Sequence, residues 1–307
     1  MARYIARRAL MTIPVLIGAS FLIFWMVYAL PGDPVRALAG DRPLTPAALA
    51  AIRDEYNLDD PLLIQYGKYM LGLLQGDLGT DFAGRPVIDT ITQRLPTTVR
   101  LALTAIVFEI IIGLTAGVLA GVRRGSYMDN LVLVSTTVVV SIPVFVLGFV
   151  AQYAFGLRLG WFPIAGLSDG FRSYILPGLV LASLSLAYVA RLTRTSLAEN
   201  LRQDYVRTAR AKGLKPSVVV GKHTMRNSMI PVVTFIGADL ANLMAGAIVT
   251  ETVFNLPGLG RAVFDSVLRQ EGFVVVGIVT IFVFFYILFN LVVDILYAVI
   301  DPRIRYD

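Results

Sequence analysis

Long apolar segments constrain the fold of this chain more than any other feature of its sequence. A helix needs about 20 apolar residues to cross the hydrocarbon core of a bilayer, and six segments approach or exceed that length with at most one charge each. These are 9–30, 101–122, 131–155, 175–190, 229–249 and 273–293. Because backbone polar groups in lipid must be satisfied internally, and no barrel-like alternation is present, we predict an all-α integral membrane protein with six transmembrane helices.

The composition excludes several classes of function. The chain is 56% hydrophobic and 16% charged, whereas soluble chains are about a quarter charged. It has no cysteine and one histidine, His223, which excludes disulfides, cysteine nucleophiles and thiolate or His-rich metal sites. A membrane enzyme needs a cluster of polar groups at one depth. We find no such cluster, and we predict no catalytic residue, no metal site and no cofactor in this chain.

Basic residues predict the orientation of the chain. Six spans place both termini on one side, which would hold most of the 27 Lys and Arg residues. These basic residues lie within 3–8, 123–124, 191–226 and 303–305. Positive charge marks the cytoplasmic side, so we predict cytoplasmic termini and no nucleic-acid partner. The first apolar run is longer than that of a typical signal peptide, and we expect an uncleaved span despite the cleavage-like Ala37-Leu38-Ala39.

The spans divide the chain into four parts. We predict a tail and first transmembrane helix at 1–30, an external helical segment at 31–96, a five-helix transmembrane core at 97–300 with a cytoplasmic loop at 191–228, and a cytoplasmic tail at 301–307. Capping patterns predict short external helices at 45–56, 60–74 and 86–94. The external segment is either a cap packed on the membrane face or part of a docking surface for an external partner.

The basic loop between the fourth and fifth spans is the candidate functional segment. Residues at four-residue spacing predict one face of a helix, which Gly213 ends. They are Leu197, Leu201, Tyr205 and Ala209. The helix either lies on anionic lipid or docks into another protein, because the small residues near its end let a second backbone approach. No phosphate-binding loop occurs in the chain, so ATP, if used, is bound by another subunit.

A series of motifs identifies this sequence as similar to one transporter family. In chain order they are Leu30-Pro31-Gly32-Asp33-Pro34, Gly76-Asp77-Leu78-Gly79, Arg94-Leu95-Pro96-Thr97-Thr98, Ala187-Tyr188-Val189-Ala190-Arg191-Leu192-Thr193-Arg194, Asp204-Tyr205-Val206-Arg207-Thr208-Ala209-Arg210-Ala211-Lys212-Gly213, Arg226-Asn227-Ser228-Met229-Ile230-Pro231, Glu251 with Phe254, Pro257-Gly258-Leu259-Gly260 and Asp301-Pro302-Arg303. Their order and spacing resemble the permease subunit of dipeptide and oligopeptide ABC importers, the binding-protein-dependent type I class.

The resemblance implies a type I importer permease fold and alternating-access transport of peptides in a bacterial cytoplasmic membrane. It also implies four kinds of partner: a second homologous permease, two ATPase subunits or one two-domain ATPase, an external substrate-binding protein and the lipid bilayer. ATP and Mg would be bound by the ATPase subunits. A short coupling helix would dock into an ATPase subunit. The implied coupling residues are Tyr205, Arg207, Thr208, Ala209, Arg210, Ala211, Lys212 and Gly213. Arg207 and Thr208 depart from the glutamate and first alanine of the family's coupling motif, which puts any salt bridge of that glutamate in doubt.

Residues inside the spans offer further hypotheses. Glu109 and Asp239 are ionisable groups at membrane depth, where they are costly. They either line the path and offset the positive amino terminus of a peptide, or are satisfied by a neighbouring helix or the second permease. The stripe at Gly113, Gly117 and Gly121 predicts close helix packing, and Pro143 and Pro177 predict kinks.

Other functions remain open at this point. The same importer class carries nickel chelates and other small solutes, and the external binding protein usually selects the cargo. A stand-alone secondary transporter is a further alternative, although such proteins often show paired broken spans and several intramembrane charges.

Overall fold

The computed structural model describes residues 2–28, 59–81 and 83–300, together with positions 45, 50, 53 and 57. Ten helical elements account for most of these residues. They are α1 (Ala2–Tyr28), α2 (Leu62–Leu74), α3 (Val87–Val122), α4 (Tyr127–Ser141), α5 (Val144–Arg158), α6 (Arg172–Asn200), α7 (Asp204–Ala211), α8 (Pro216–Val253), α9 (Leu259–Leu268) and α10 (Gly272–Ile300). Strand-like pairing within the described part is limited to a single bridge between Thr80 and Pro86.

The predicted membrane spans correspond to these helices. Five helices, α1, α3, α6, α8 and α10, are long and apolar enough to cross a bilayer, and the number is six when the bent pair α4 and α5 is counted as one broken span. The all-α fold class is therefore confirmed. The fourth span extends beyond 175–190 at both ends, as expected, to 29 residues. Pro177 lies within α6 without interrupting it.

The third predicted span is two helices joined at an angle. α4 and α5 are bent by 104° at a break, where Ile142 is extended and Pro143 precedes the first residue of α5. Proline lacks a backbone N–H and disfavours helical backbone in the residue before it. The kink predicted at Pro143 is therefore a complete break.

Two predictions about the segment before the core need correction. The expected helix at 86–94 is the beginning of α3, which continues through Pro96 because its buried face, including Ile91 and Leu101, packs along its length. The helix expected from Asp60 and Pro61 is present as α2, but Pro61 is the N-cap residue and not the first helical residue. Most of the helix expected at 45–56 lies outside the described residues.

The predicted helical stripe from Leu197 to Ala209 is also interrupted. α6 ends at Asn200, and Gln203 adopts extended backbone before α7 begins. Leu197 and Ala209 are both buried, but they belong to different helices. The four-residue periodicity continued across a turn that contains no glycine or proline, so the sequence did not signal the break.

α6 lies at the centre of the bundle and packs against α3, α4 and α8. Its contact with α3 depends on the predicted glycine stripe. A Cβ atom at Gly117 would lie 2.5 Å from Thr193 Cβ, and one at Gly113 would lie 2.9 Å from Val189 Cγ1. No real side chain tolerates such distances, so the two helices meet at backbone contact. The predicted packing role of the stripe is confirmed.

We call the two ends of the bundle the basic face and the opposite face. The basic face is the end where α3 and α6 finish and α7 lies. The opposite face is the end where α3 begins and α9 lies, because Thr98 near the start of α3 contacts the first residue of α9. α2 packs beside α1 and α10 through Phe24, Tyr69 and Val276.

Candidate functional site

α7 is a short helix with well-defined ends. Asp204 lies in its first turn and Arg210 in its last turn, and both charges complement the helix dipole. Lys212 follows the helix, and Gly213 has a φ of +77°. This left-handed backbone favours glycine and is the usual conformation just after a helix end. The predicted stop at Gly213 is confirmed.

One face of α7 is anchored to the start of α8. Val206 and Ala209 are buried and pack against Val219, with Leu201 at the edge of the cluster. Tyr205 adds a polar link, because its hydroxyl donates to Oδ1 of Asn200 at the end of α6 (2.9 Å). α7 is therefore attached to the helices on either side of it.

The other face of α7 is exposed and cationic. Arg207 makes an exposed ion pair with Asp204 of the same helix (3.3 Å), which contributes little to stability. Its neighbours on this surface are Thr208, Arg210, Ala211 and Lys212, all of which are exposed. The structure thus brings the predicted coupling residues onto one helix and its end, with Ala209 facing inward and the basic side chains facing out.

An ion pair between the buried Asp129 and the partly exposed Arg194 holds α6 against α4 just before α7. Arg194 donates to Asp129 through Nε to Oδ1 (2.6 Å) and through Nη2 to Oδ2 (2.9 Å). The backbone N–H of Gly125 also donates to Asp129 Oδ2 (2.8 Å). Two parallel hydrogen bonds between a guanidinium and a carboxylate fix both position and angle. One turn earlier on α6, Arg191 Nη2 donates to the carbonyl of Thr136 (3.2 Å).

Sequence reasoning missed the role of this pair. Arg194 was one of many basic residues near the loop, and Asp129 lies immediately before an apolar run. The available signal was Asp129 itself, two positions before the predicted span at 131–155 and three positions after Ser126, the serine that caps α4. Its partner is 65 positions away, which periodicity does not reveal.

Glu109 and Asp239 lie together, but away from α7. Glu109 is 0% exposed and Asp239 is 4% exposed, and their carboxyl groups interact electrostatically. Within the described residues neither oxygen of Glu109 has a hydrogen-bond partner. Asp239 Oδ1 accepts from Asn242 Nδ2 (3.3 Å). Neither carboxylate reaches solvent in this conformation, so contact with cargo would require α3 and α8 to rearrange.

Metal ligands do not gather in the part of the chain that the structure describes. No group of three or more His, Asp or Glu side chains within it is placed to hold an ion.

The chain matches a known family of membrane transport proteins over most of its length. A family described as "Binding-protein-dependent transport system inner membrane component" matches residues 113–306, and its N-terminal counterpart matches residues 1–102. The chain belongs to this family. It is a multi-pass permease subunit of an importer, as the motifs predicted, and families of this kind work with ATPase and binding-protein partners.

Curated relatives match over the full length. The chain is 42% identical over 307 residues to the glutathione transport system permease protein GsiC of Escherichia coli K12, covering 100% of both chains. It is 36% identical over 334 aligned positions to the dipeptide transport system permease protein DppB of Alkalihalophilus pseudofirmus, again covering 100% of both.

A solved structure confirms the fold. The inward-facing MetNI methionine ABC transporter matches with a TM-score of 0.59 and 19% identity, covering 70% of this chain and 97% of that one. At this identity the likeness concerns architecture alone, and it confirms the predicted type I importer permease fold.

The Asp129–Arg194 pair gives a direct stability prediction. Asp129→Asn removes the counter-charge of the partly exposed Arg194 guanidinium and should destabilise the fold by about 2 kcal/mol, within the range for hydrogen bonds to charged groups. The double variant Asp129→Leu/Arg194→Met removes both charges, and we expect it to be more stable than Asp129→Asn alone. The measurement is the unfolding midpoint of the purified protein in detergent.

The control for this experiment is Asp204→Asn, which breaks the exposed pair on α7. We expect no measurable shift in its midpoint because exposed ion pairs are weak. Equal shifts for Asp129→Asn and Asp204→Asn would contradict a structural role for the Asp129–Arg194 pair.

Proposed function

We propose that this chain forms half of the translocation path of an ATP-driven importer, and that α7 is the helix that docks into an ATPase subunit. The observation that carries the proposal is the division of α7 into two faces. Val206 and Ala209 anchor it to α8, while the cationic surface from Arg207 to Lys212 faces away from the chain. A helix on lipid alone would need an apolar face turned toward the bilayer. Here the buried apolar residues of α7 face its own bundle.

In the proposed assembly, other subunits complete the path, deliver the solute and hydrolyse ATP. A second homologous permease completes the path, and an external binding protein delivers the solute. Two ATPase subunits, or one ATPase with two domains, bind ATP and Mg and carry out hydrolysis. Because α7 presents Arg207, Arg210 and Lys212, we expect the docking groove of the ATPase to be lined by carboxylates at matching positions.

The proposed mechanism is alternating access driven through two packed contacts. ATP-dependent closure of the ATPase subunits moves α7 as a rigid body. Val219 passes that movement to α8, a continuous helix of 38 residues that reaches the opposite face. Asp129 and Arg194 keep α4 and α6 together during the movement, so the helices rotate as a group.

We propose that the cargo is a small peptide. This rests on the full-length relatives, one named for glutathione and one for dipeptide transport. A nickel chelate or another small solute is the alternative within the same class. The buried carboxyl pair favours a cargo with a positive group, because Glu109 has unsatisfied oxygens that an ammonium group can satisfy once α3 and α8 move apart locally around Glu109 and Asp239.

The proposed location is a bacterial cytoplasmic membrane, with both termini and the basic face on the cytoplasmic side. It is supported by the concentration of Lys and Arg around α7 and by the positive-inside rule.

Bulk added to the exposed side of α7 should block docking. Ala211→Trp places an indole on the exposed surface near Lys212, and we expect loss of ATPase retention in pull-downs and at least about a tenfold loss of uptake, the equivalent of 1.4 kcal/mol. Ser168→Trp adds the same bulk to an exposed loop at the opposite face and should retain the ATPase. Normal retention by Ala211→Trp would place the docking surface elsewhere.

The orientation can be tested with single cysteines, because the natural chain contains none. Ser168→Cys and Ser217→Cys place a thiol on exposed positions at the two faces. A membrane-impermeant maleimide should label Ser168→Cys in intact cells and Ser217→Cys only after the membrane is opened. The reverse pattern would invert the proposed topology.

The role of the acidic pair can be separated from general stability by the choice of cargo. If the pair contacts a cargo ammonium group, Glu109→Gln and Asp239→Asn should raise the apparent KM about tenfold for a dipeptide with a free amino terminus. The KM for the same dipeptide with an acetylated amino terminus should not change. Equal effects on the two cargoes, with normal assembly, would assign the pair a structural role.

A further inference from the structure

The first turn of α9 is capped by side chains from two other helices. The backbone N–H of Leu259 donates to Thr98 Oγ1 of α3 (2.8 Å), and that of Arg261 donates to Glu251 Oε2 of α8 (2.9 Å). The Thr98 hydroxyl itself donates to Glu251 Oε1 (2.6 Å). Both side chains are fully buried. We call this arrangement of Thr98, Glu251 and the start of α9 the opposite-face clamp.

Two glycines of the Pro257-Gly258-Leu259-Gly260 motif make room for the clamp. A Cβ atom at Gly258 would lie 2.2 Å from Glu251 Cδ, and one at Gly260 would lie 2.5 Å from Ile248 Cα. Gly258 has a φ of −100°, which any residue adopts. Glycine is therefore needed at this position because Glu251 leaves no room for a Cβ atom, and not because of the backbone conformation. The motif therefore fits α9 closely onto α8.

Capping alone does not account for this arrangement. A helix start is normally satisfied by Ser, Thr, Asp or Asn at the residue just before the helix, a position that Gly258 occupies here. The cap comes instead from Thr98, 161 positions away from Leu259. It also buries a carboxylate, which is unfavourable unless hydrogen bonds and the positive helix start offset the loss of hydration. What the clamp adds to capping is a fixed connection between α3, α8 and α9.

α8 connects the clamp to the proposed coupling helix. Its first residues hold α7 through Val219 on the basic face, and its last turn carries Glu251 on the opposite face. The helical path between them is continuous from Pro216 to Val253. Rigid helices with packed contacts at both ends are among the elements through which distant sites are coupled, and α8 has such contacts at both ends.

We propose that Glu251 and Thr98 are positioning residues for transport, which make α9 move together with α8 and so tie opening of the opposite face to closure of the ATPase subunits. The proposal rests on the proposed function, because it assigns the far end of the same mechanical path. It assigns a role to three motifs that the coupling role of α7 does not explain: the second threonine of Arg94-Leu95-Pro96-Thr97-Thr98, Glu251 of the pair Glu251 and Phe254, and Pro257-Gly258-Leu259-Gly260.

The test uses a dipeptide with a free amino terminus as the solute and compares its import with ATP hydrolysis in the complete complex reconstituted in vesicles. Thr98→Val keeps the shape of the side chain but removes its hydroxyl, and Glu251→Asp keeps the charge but shortens its reach. For both we expect ATP hydrolysis close to wild type and a fall of about tenfold in solute imported per ATP, within the usual range of coupling factors.

Two conservative variants serve as controls. Thr98→Ser retains the hydroxyl and should restore the ratio to within about twofold of wild type, well below that coupling range. Thr104→Val removes a buried hydroxyl from the same helix, whose hydrogen bond goes to the carbonyl of Arg100 one turn away (2.7 Å). It should leave the ratio unchanged.

Hydrogen exchange is a second measurement, which also applies to variants that assemble poorly. Hydrogen exchange of the amides in the first turn of α9 should be faster in Glu251→Asp than in wild type and unchanged in Thr104→Val. Wild-type ratios in assembled Thr98→Val and Glu251→Asp would overturn the proposal, and so would unchanged exchange in Glu251→Asp. Failure of the wild-type complex to import solute with ATP would instead overturn the proposed function.

Discussion

The close approach of α3 and α6 is the constraint on which the rest of the bundle depends. Three glycines one turn apart bring the backbones of these helices together, and a single Cβ atom at Gly117 would overlap Thr193. In lipid there is little hydrophobic drive to associate helices, so such contact depends on packing and hydrogen bonds. With α6 held at this position, Arg194 in its last turns contacts Asp129 on α4. With α3 held against it, Thr98 contacts the first residue of α9.

Polar side chains act mainly at the two ends of the bundle. On the basic face, Asp129 and Arg194 join α4 to α6. On the opposite face, Thr98 and Glu251 join α3, α8 and α9. Between them the packing is dominated by apolar residues of α3, α6 and α8. Directional contacts thus fix the helix ends, while close van der Waals contacts hold the helices together along the middle.

The sequence predicted much of this structure, because span length, hydropathy and the stop at Gly213 are local properties. It failed where tertiary packing overrides a local rule. Pro96 does not end α3, since the buried face on both sides of it keeps the helix together. The stripe from Leu197 to Ala209 crosses a turn that no glycine or proline marks. The two polar connections join residues 65 and 153 positions apart, a distance over which periodicity in one chain carries no information.

The length of α8 has a mechanical consequence. At about 1.5 Å per residue its 38 residues span about 57 Å, whereas a bilayer with its headgroups is about 40–45 Å thick. The helix is therefore long enough to act as a lever whose ends both project from the membrane. A tilt of about 10° about one end displaces the other by about 10 Å, about the diameter of a helix. A modest rotation of a docked subunit is thus geometrically sufficient to open or close a passage wide enough for a small solute.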